Sequence, residues 1–303
     1  AVLPTMFGES VVIRVLDRSV VSLNLGKVGM EPPTLNQFRE IISKPNGIVL
    51  VTGPTGSGKT TTVYRLLSHL NDGSRMIVTV EDPIEMDLPG VLQVAARTDI
   101  GLDFASGLRS ILRQDPDVIL VGEIRDTETA KIAVQAALTG HLVISTVHTN
   151  SAVAAVTRLL DLGVEPFLLA EVVRGLIGQR LLRRTCGACA TPGLNPNAED
   201  HYWARLAGVA VSGPPRWRSG SGCPECNHSG YRGRIGAYEI AVVDGALQRA
   251  IRERRDETAV LEMAREQGFR TMEEDGFLKA RSGETSFGEA LRVLSPSGLT
   301  SLR

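Results

Sequence analysis

An α/β fold built on a mostly parallel sheet, with a cysteine-bearing insert and a helical C-terminal subdomain, is what this sequence predicts. Three observations carry that prediction. From Ile48 onward, short apolar strands alternate with helical segments, the pattern of strand–helix–strand units. A glycine-rich loop, Gly53-Pro54-Thr55-Gly56-Ser57-Gly58-Lys59-Thr60, lies between the first of those strands and the helix after it. The four cysteines of the chain form two C-x-x-C pairs, Cys186/Cys189 and Cys223/Cys226.

The elements follow in order. Ser10–Asp17 is short and β-branched, and predicts a strand remaining from an upstream strand-rich domain. A linker with turn signals at Gly26, Gly29 and Pro32-Pro33 precedes a helix from Thr34 to about Ser43. Ile48–Thr52 predicts a buried strand, Lys59–Leu70 a helix stopped by Asn71-Asp72-Gly73, and Met76–Val80 the next strand. Phe104–Arg113 predicts a helix, Val118–Val121 a strand, and Thr127–Leu138 a helix capped by Asp126 and closed by Thr139-Gly140. Leu142–Val147 predicts a fourth strand and Ala152–Leu162 a helix ending at Gly163; after Pro166 a further helix is expected to about Arg183. Ser212–Pro224 is rich in Gly, Pro and Ser, and Gly245–Arg303 reads as a small helical subdomain with a loose tail. The expected organisation is a domain remnant and linker over 1–30, an α/β core with the glycine-rich loop over 31–183, a cysteine module over 184–240 and a helical subdomain over 241–303.

The glycine-rich loop fits G-x-x-x-x-G-K-[ST] in full and stands in the strand–loop–helix context that the motif requires. Glycines let backbone N–H groups turn inward around phosphate oxygens, and the helix N-terminus adds its positive dipole end. Lys59 can reach the β- and γ-phosphates of ATP and the Thr60 hydroxyl can ligate Mg²⁺, with Thr61 next in the run. The strand Val118–Val121 ends in Gly122-Glu123, so Glu123 is the first carboxylate available where such enzymes usually place an aspartate. Its plain alternative is a surface glutamate after a strand. A second acidic group, Glu81-Asp82-Pro83-Ile84-Glu85, follows another strand and is either a source of a water-orienting carboxylate or a solvated acidic turn. His141 and His148 flank the fourth strand, with His148 at the end nearer the ligand crevice, where it can sense a γ-phosphate or simply satisfy a local hydrogen bond.

Composition narrows the partners. Lys and Arg total 33 against 34 Asp and Glu, for a net charge of −1, so a bulk basic field for nucleic acid is absent. No apolar run is long and uncharged enough for a membrane span: the most apolar stretch, Val164–Leu182, is broken by Glu165, Glu171, Arg174 and Arg180. The chain opens on AVLPT, without a methionine and without a signal peptide, and is expected to be a fragment of a longer cytosolic protein. In that setting two C-x-x-C pairs 33 residues apart read as a closed, structural four-thiolate Zn²⁺ site rather than disulfides.

Together the segments GPTGSGKTTT, VEDPIE, LRSILRQDPDVILVGEIRD and TGHLVISTVHTN resemble, in order and spacing, the Walker A, Asp box, Walker B and His box of the type II/type IV secretion motor ATPases. The resemblance runs from about Leu3 to Val293 and is closest to the type II secretion assembly ATPases (the GspE family). It implies a RecA-like P-loop ATPase core in a hexameric ring that drives pseudopilus assembly. Glu123 then matches the Walker B glutamate, Glu85 the carboxylate acting on the catalytic water, and His148 the His-box position, with His141 as second candidate. Arg14 matches an arginine reaching nucleotide phosphates from the preceding domain, and Arg109 and Arg113 match arginines near the cleft. The resemblance also implies a peripheral place on the cytoplasmic face of the bacterial inner membrane. Docking there on the cytoplasmic domain of a secretion-platform protein is expected through an N-terminal domain missing from this chain. The tetracysteine module is similar to that of secretion and pilus-assembly motors. The rival expectations are a type IV pilus assembly ATPase, a RecA-like nucleic-acid motor, and a non-catalytic scaffold.

Overall fold

The computed structural model describes residues 2–13, 23–193 and 215–294. It opens with a two-stranded antiparallel hairpin, β1 (Val2–Thr5) and β2 (Gly8–Val11). The strand expected over Ser10–Asp17 is therefore present only at its start, and its residues from 14 on, Arg14 included, lie outside the described residues. A short 3₁₀ turn (Leu25–Lys27) leads to α1 (Pro32–Ile42), whose two prolines occupy the first turn, where a missing N–H costs no helical hydrogen bond.

The core then alternates β3 (Gly47–Thr52), α2 (Lys59–Leu70), β4 (Ile77–Glu81), β5 (Leu92–Ala95), α3 (Phe104–Ile111), β6 (Val118–Val121), α4 (Thr127–Leu138), β7 (Leu142–Val147), α5 (Ala154–Asp161) and α6 (Pro166–Val172). Next come β8 (Val173–Thr185), the short strands β9 (Ala190–Pro192) and β10 (Arg218–Gly220), and β11 (Tyr231–Val242). Four helices close the chain: α7 (Gly245–Arg252), α8 (Glu257–Glu266), α9 (Met272–Arg281) and α10 (Phe287–Leu294). Seven strands form one sheet in the order β11-β8-β3-β7-β6-β4-β5, parallel throughout except for the β8–β11 pair.

Period-two alternation divides the sheet's side chains between two cores. Ile48 and Leu50 of β3 join one cluster with Val80, Ile119 and Val143, while Val49 and Val51 join Ile144, Leu66 and Phe38 on the other face. Both faces being covered explains why β3, β6 and β7 are apolar almost without break. A third, smaller core holds Leu182, Ala237, Met272 and Leu294, with Trp217, Phe277 and Phe287 stacked edge to face beside it. No helix among the described residues is long and apolar enough to cross a membrane.

One expectation fails here. The helix predicted from Pro166 to about Arg183 stops at Val172, and Val173–Thr185 is a 13-residue strand. Its backbone groups are satisfied on both sides, by β3 and by β11, and no local pattern encodes that pairing. Two of its glycines serve the packing: a Cβ at Gly175 would fall 2.5 Å from the Ile41 side chain, and one at Gly178 would fall 2.5 Å from Glu239 Oε1. The domain boundaries expected at 183/184 and 240/241 consequently fall inside β8 and β11, both members of the core sheet.

Candidate active site

Strand register gathers the site. β3 and β7 pair in parallel with Thr52 opposite Val147, and β7 pairs β6 with Ser145 opposite Val121. The residues just past these ends, Gly53, His148 and Glu123, therefore emerge together at the carboxyl edge of the sheet, the usual ligand crevice of such folds. His141 precedes the same strand and lies at the opposite edge, about 20 Å away for a six-residue strand, where its Nδ1 meets the Ala136 carbonyl at 2.8 Å. The structure thus separates the two histidines and leaves His148 alone beside the loop.

Gly53, Gly56 and Gly58 all have positive φ, at 150°, 80° and 90°, so the loop curls in a way that L side chains resist. Lys59 opens α2 and turns its ammonium back across the loop, donating to the carbonyls of Gly53 (2.7 Å) and Pro54 (3.2 Å). Burial lowers its pKa, partly offset by the Glu123 carboxylate, and Arg180 lowers it further. Pro54, Thr55, Gly56 and Thr60 are exposed, and Thr61 is partly so. Ser57 Oγ is buried without a hydrogen-bond partner among the described residues, an orphan hydroxyl inside the curl. A loop with inward backbone, a cation across its mouth and an unpartnered hydroxyl fits a polyphosphate, and Thr60 offers Mg²⁺ an accessible hydroxyl.

Glu123 stands 3.5 Å from His148 Nε2 and also pairs with Arg125. Its side chain is only 12% exposed, so the carboxylate acts in a partly desolvated place. Burial first, then the nearby Lys59, lowers the His148 pKa below its ordinary 6.5, against the upward pull of Glu123. The glycine at 122 has a steric reason, because a Cβ there would lie 3.2 Å from the Val80 carbonyl of β4.

The acidic segment after β4 resolves into distinct positions. Glu81 is buried and committed: it accepts hydrogen bonds from the Tyr64 hydroxyl, from Thr79 Oγ1 (2.6 Å) and from Gln93 Nε2 (3.2 Å). Tyr64 in turn accepts the Glu85 backbone N–H at 3.2 Å, which fixes that loop on α2 while the Glu85 side chain stays half-buried. Asp82 is exposed. Arg109 pairs with Glu128, and Arg113 donates to Ser110 (3.2 Å); neither hydrogen-bonds the glycine-rich loop among the described residues.

Two residues that the motif reading passed over lie on β8. The Gln179 amide sits under the loop against Ser57 and Thr62, and Arg180 donates to the Asn150 carbonyl (3.0 Å) just past His148. Their signal, a Gln-Arg pair in a segment read as helix, gains meaning only once β8 is a strand beside β3.

The four cysteines converge between β8 and β11. Sγ separations are 3.9 Å for Cys186–Cys223, 3.9 Å for Cys189–Cys226 and 3.7 Å for Cys223–Cys226. A tetrahedron of thiolates about 2.3 Å from a central Zn²⁺ has edges of about 3.8 Å, so the spacing suits a metal, and the thiols are free rather than disulfide-linked. The Asn227-His228 turn, both at positive φ, lets the N–H groups of Cys223 and Gly230 reach Cys226 Sγ at 3.2 and 3.3 Å. Burial raises that thiol's pKa, but these two donors together with the neighbouring Cys223 and Cys189 thiols outweigh it and bring the value down to about 6.

Residues 1–292 match the family model described as type II/IV secretion system protein. The chain is 49% identical over 295 residues to a putative type II secretion system protein E of Escherichia coli K12, covering 97% of this chain and 58% of that protein. It is 48% identical over 295 residues to the type II secretion system ATPase E of Vibrio cholerae serotype O1, with the same two shares. The chain thus spans under three fifths of the length of these curated relatives. Among solved structures, the pilus retraction motor PilT with bound ADP superposes at a TM-score of 0.70 and 29% identity, covering 98% of this chain and 73% of that one. The ATPase DotB of Legionella pneumophila gives 0.63 at 25% identity, covering 88% and 64%.

Proposed function

The chain belongs to the type II/IV secretion system protein family, and from that premise we propose that it is the motor region of a type II secretion ATPase, hydrolysing ATP with Mg²⁺ to drive pseudopilus assembly. The observation that carries this reading is the meeting of Lys59, Glu123 and His148 at one sheet edge beside a complete phosphate loop. Lys59 holds and neutralises phosphate oxygens, Ser57 and Thr60 present hydroxyls, and the backbone N–H groups of the loop from Gly56 to Thr61, other than that of Ser57, which is given to the Pro54 carbonyl, are the donors offered to phosphate. The exposed Thr60 hydroxyl would hold Mg²⁺, which when bound would supply neutralisation of charge on the phosphate oxygens. Glu123 and Glu85 orient the attacking water, and His148, held neutral by its surroundings, donates or accepts a hydrogen bond near the γ-phosphate without adding charge. Arg14 stabilises phosphate charge from the preceding domain.

On this reading the tetracysteine module leaves the core sheet near residue 183, at the end of β8, and returns to it through β11, with the helical subdomain following near residue 240. The module holds Zn²⁺ structurally, as four thiolates leave no open position. The working unit is a homo-hexamer, peripheral on the cytoplasmic face of the inner membrane and docked on a platform protein through sequence upstream of this chain. The test is ATP binding and turnover by the wild-type chain and Lys59→Ala across protein concentrations, with Mg²⁺ and without nucleic acid. Binding lost in Lys59→Ala, with a specific rate that climbs with concentration, supports a ring motor; turnover that survives Lys59→Ala overturns it. The fold likeness to a pilus retraction motor keeps pilus assembly as a second reading. Capture of a pilus platform protein by the full-length protein would favour it.

A further inference from the structure

We infer that Gln179 is a positioning residue for the phosphate-binding loop, an amide brace that holds the loop's curvature from the side opposite the nucleotide. The inference rests on the nucleotide-binding reading above and assigns a role that the loop motif itself does not contain.

Gln179 lies one residue beyond the last β3–β8 pair, Thr52 with Gly178, so the sheet places it directly beside Gly53. Its side chain is buried and makes two hydrogen bonds in opposite senses. Nε2 donates to the Ser57 carbonyl at 2.8 Å, and Oε1 accepts from Thr62 Oγ1 at 2.7 Å. A carbonyl can only accept, so the amide nitrogen must face Ser57 and the oxygen must face Thr62. A primary amide supplies that donor and acceptor side by side without needing a particular tautomer or protonation state. A carboxylate would set oxygen against oxygen, and an apolar residue would leave the Ser57 carbonyl unpaired, while the Thr62 hydroxyl would keep only Tyr238 as a partner.

The surrounding glycines fit the same account. A Cβ at Gly58 would fall 2.7 Å from Gln179 Nε2, and one at Gly53 would fall 2.4 Å from the Gln179 carbonyl oxygen. The loop thus lies directly on β8, and two of its glycines are open on that side because Gln179 occupies the space. With the Ser57 carbonyl tied toward β8, planarity of the trans Ser57–Gly58 peptide turns the Gly58 N–H the opposite way, toward the side where phosphate would sit. Thr62, in the first turn of α2, links the same amide to the helix whose N-terminus faces that site.

The test measures ATP affinity by calorimetry, and the unfolding midpoint without nucleotide, for the wild-type chain, Lys59→Ala, Gln179→Met, Thr62→Val and Thr62→Ser. Gln179→Met should weaken ATP binding by about tenfold, the size of one lost buried hydrogen bond. Thr62→Val should weaken it by a smaller factor. Thr62→Ser, which keeps the hydroxyl, should bind as wild type does, and Gln179→Met with Thr62→Val should be no worse than Gln179→Met alone. A lower unfolding midpoint with unchanged ATP affinity in both Gln179→Met and Thr62→Val would make the amide a packing residue and overturn the inference. Wild-type binding that does not depend on Lys59 would overturn the nucleotide reading together with it.

Discussion

Glu123 illustrates what a single side chain decides. It is mostly buried, within 3.5 Å of His148 and close enough to Lys59 to hold up that ammonium's pKa, so its carboxylate lies in the crevice beside the glycine-rich loop. Glu123→Gln keeps the shape and removes the charge. It should retain ATP binding while turnover falls ~10²–10⁴-fold, measured by single-turnover hydrolysis. His148 carries a pH signature. Its folded pKa is depressed, so below the unfolded value the unfolded chain binds the proton more readily. Its contribution to stability is therefore present above about pH 6.5 and is lost as pH falls through the depressed folded value. Urea unfolding at pH 7.5 and 5.5 should show a smaller acid loss in His148→Asn than in the wild type.

At the scale of elements, α2 does more than open at the phosphate loop. Tyr64, one turn along it, donates to buried Glu81 and accepts the Glu85 N–H, so one helix fixes both the loop and the acidic segment after β4. Tyr64→Phe should cost ~1 kcal/mol of stability and slow hydrolysis more than it weakens ATP binding, since it frees the Glu85 segment and leaves the loop intact. The cysteine module is a separate element hung from the far ends of β8 and β11, packed against α9 and α10 through Trp217, Phe277 and Phe287. Purified protein should carry one Zn²⁺ per chain by elemental analysis. Cys186→Ser with Cys223→Ser should lower the unfolding midpoint while ATP affinity stays unchanged, because the module and the phosphate loop share no contacts among the described hydrogen bonds.

Across the whole molecule, one buried carboxylate ties the crevice to the helical subdomain. Glu239 of β11 accepts N–H groups from Ala152, past the His148 loop, and from Met272, at the start of α9. Burial raises its pKa to about 7; Glu273 adds to the rise, and Arg180 and the two backbone donors oppose it. A raised carboxyl pKa means stability that is full below about pH 4.5 and lost as pH rises through about 7, worth ~3 kcal/mol over that span. Thermal unfolding followed from pH 5 to pH 8.5 should therefore decline less steeply in Glu239→Gln. Legibility differs between the two halves of this link. TGHLVISTVHTN marks the His148 loop in the sequence, but nothing near Glu239 marks it as that loop's anchor.

The sequence by itself determined the phosphate loop, the cysteine pairs and the order of elements from Ile48 to Leu162 except for the edge strand β5 (Leu92–Ala95), which it missed, with Lys59–Leu70, Val118–Val121, Thr127–Leu138 and Leu142–Val147 bounded as the structure bounds them. Those features are local. A glycine-rich curl, a thiolate turn and a capped amphipathic helix each satisfy their own backbone within a few residues, so their chemistry is written contiguously. Only the tertiary structure decided that Val173–Thr185 is a strand, that His148 stands within 3.5 Å of Glu123, that Glu81 is a structural anchor, and that Gln179 lies under Ser57. Each depends on hydrogen bonds between residues distant in sequence, Gln179 to Ser57 across 122 positions, and a strand becomes a strand only when its partners on either side are present to accept it.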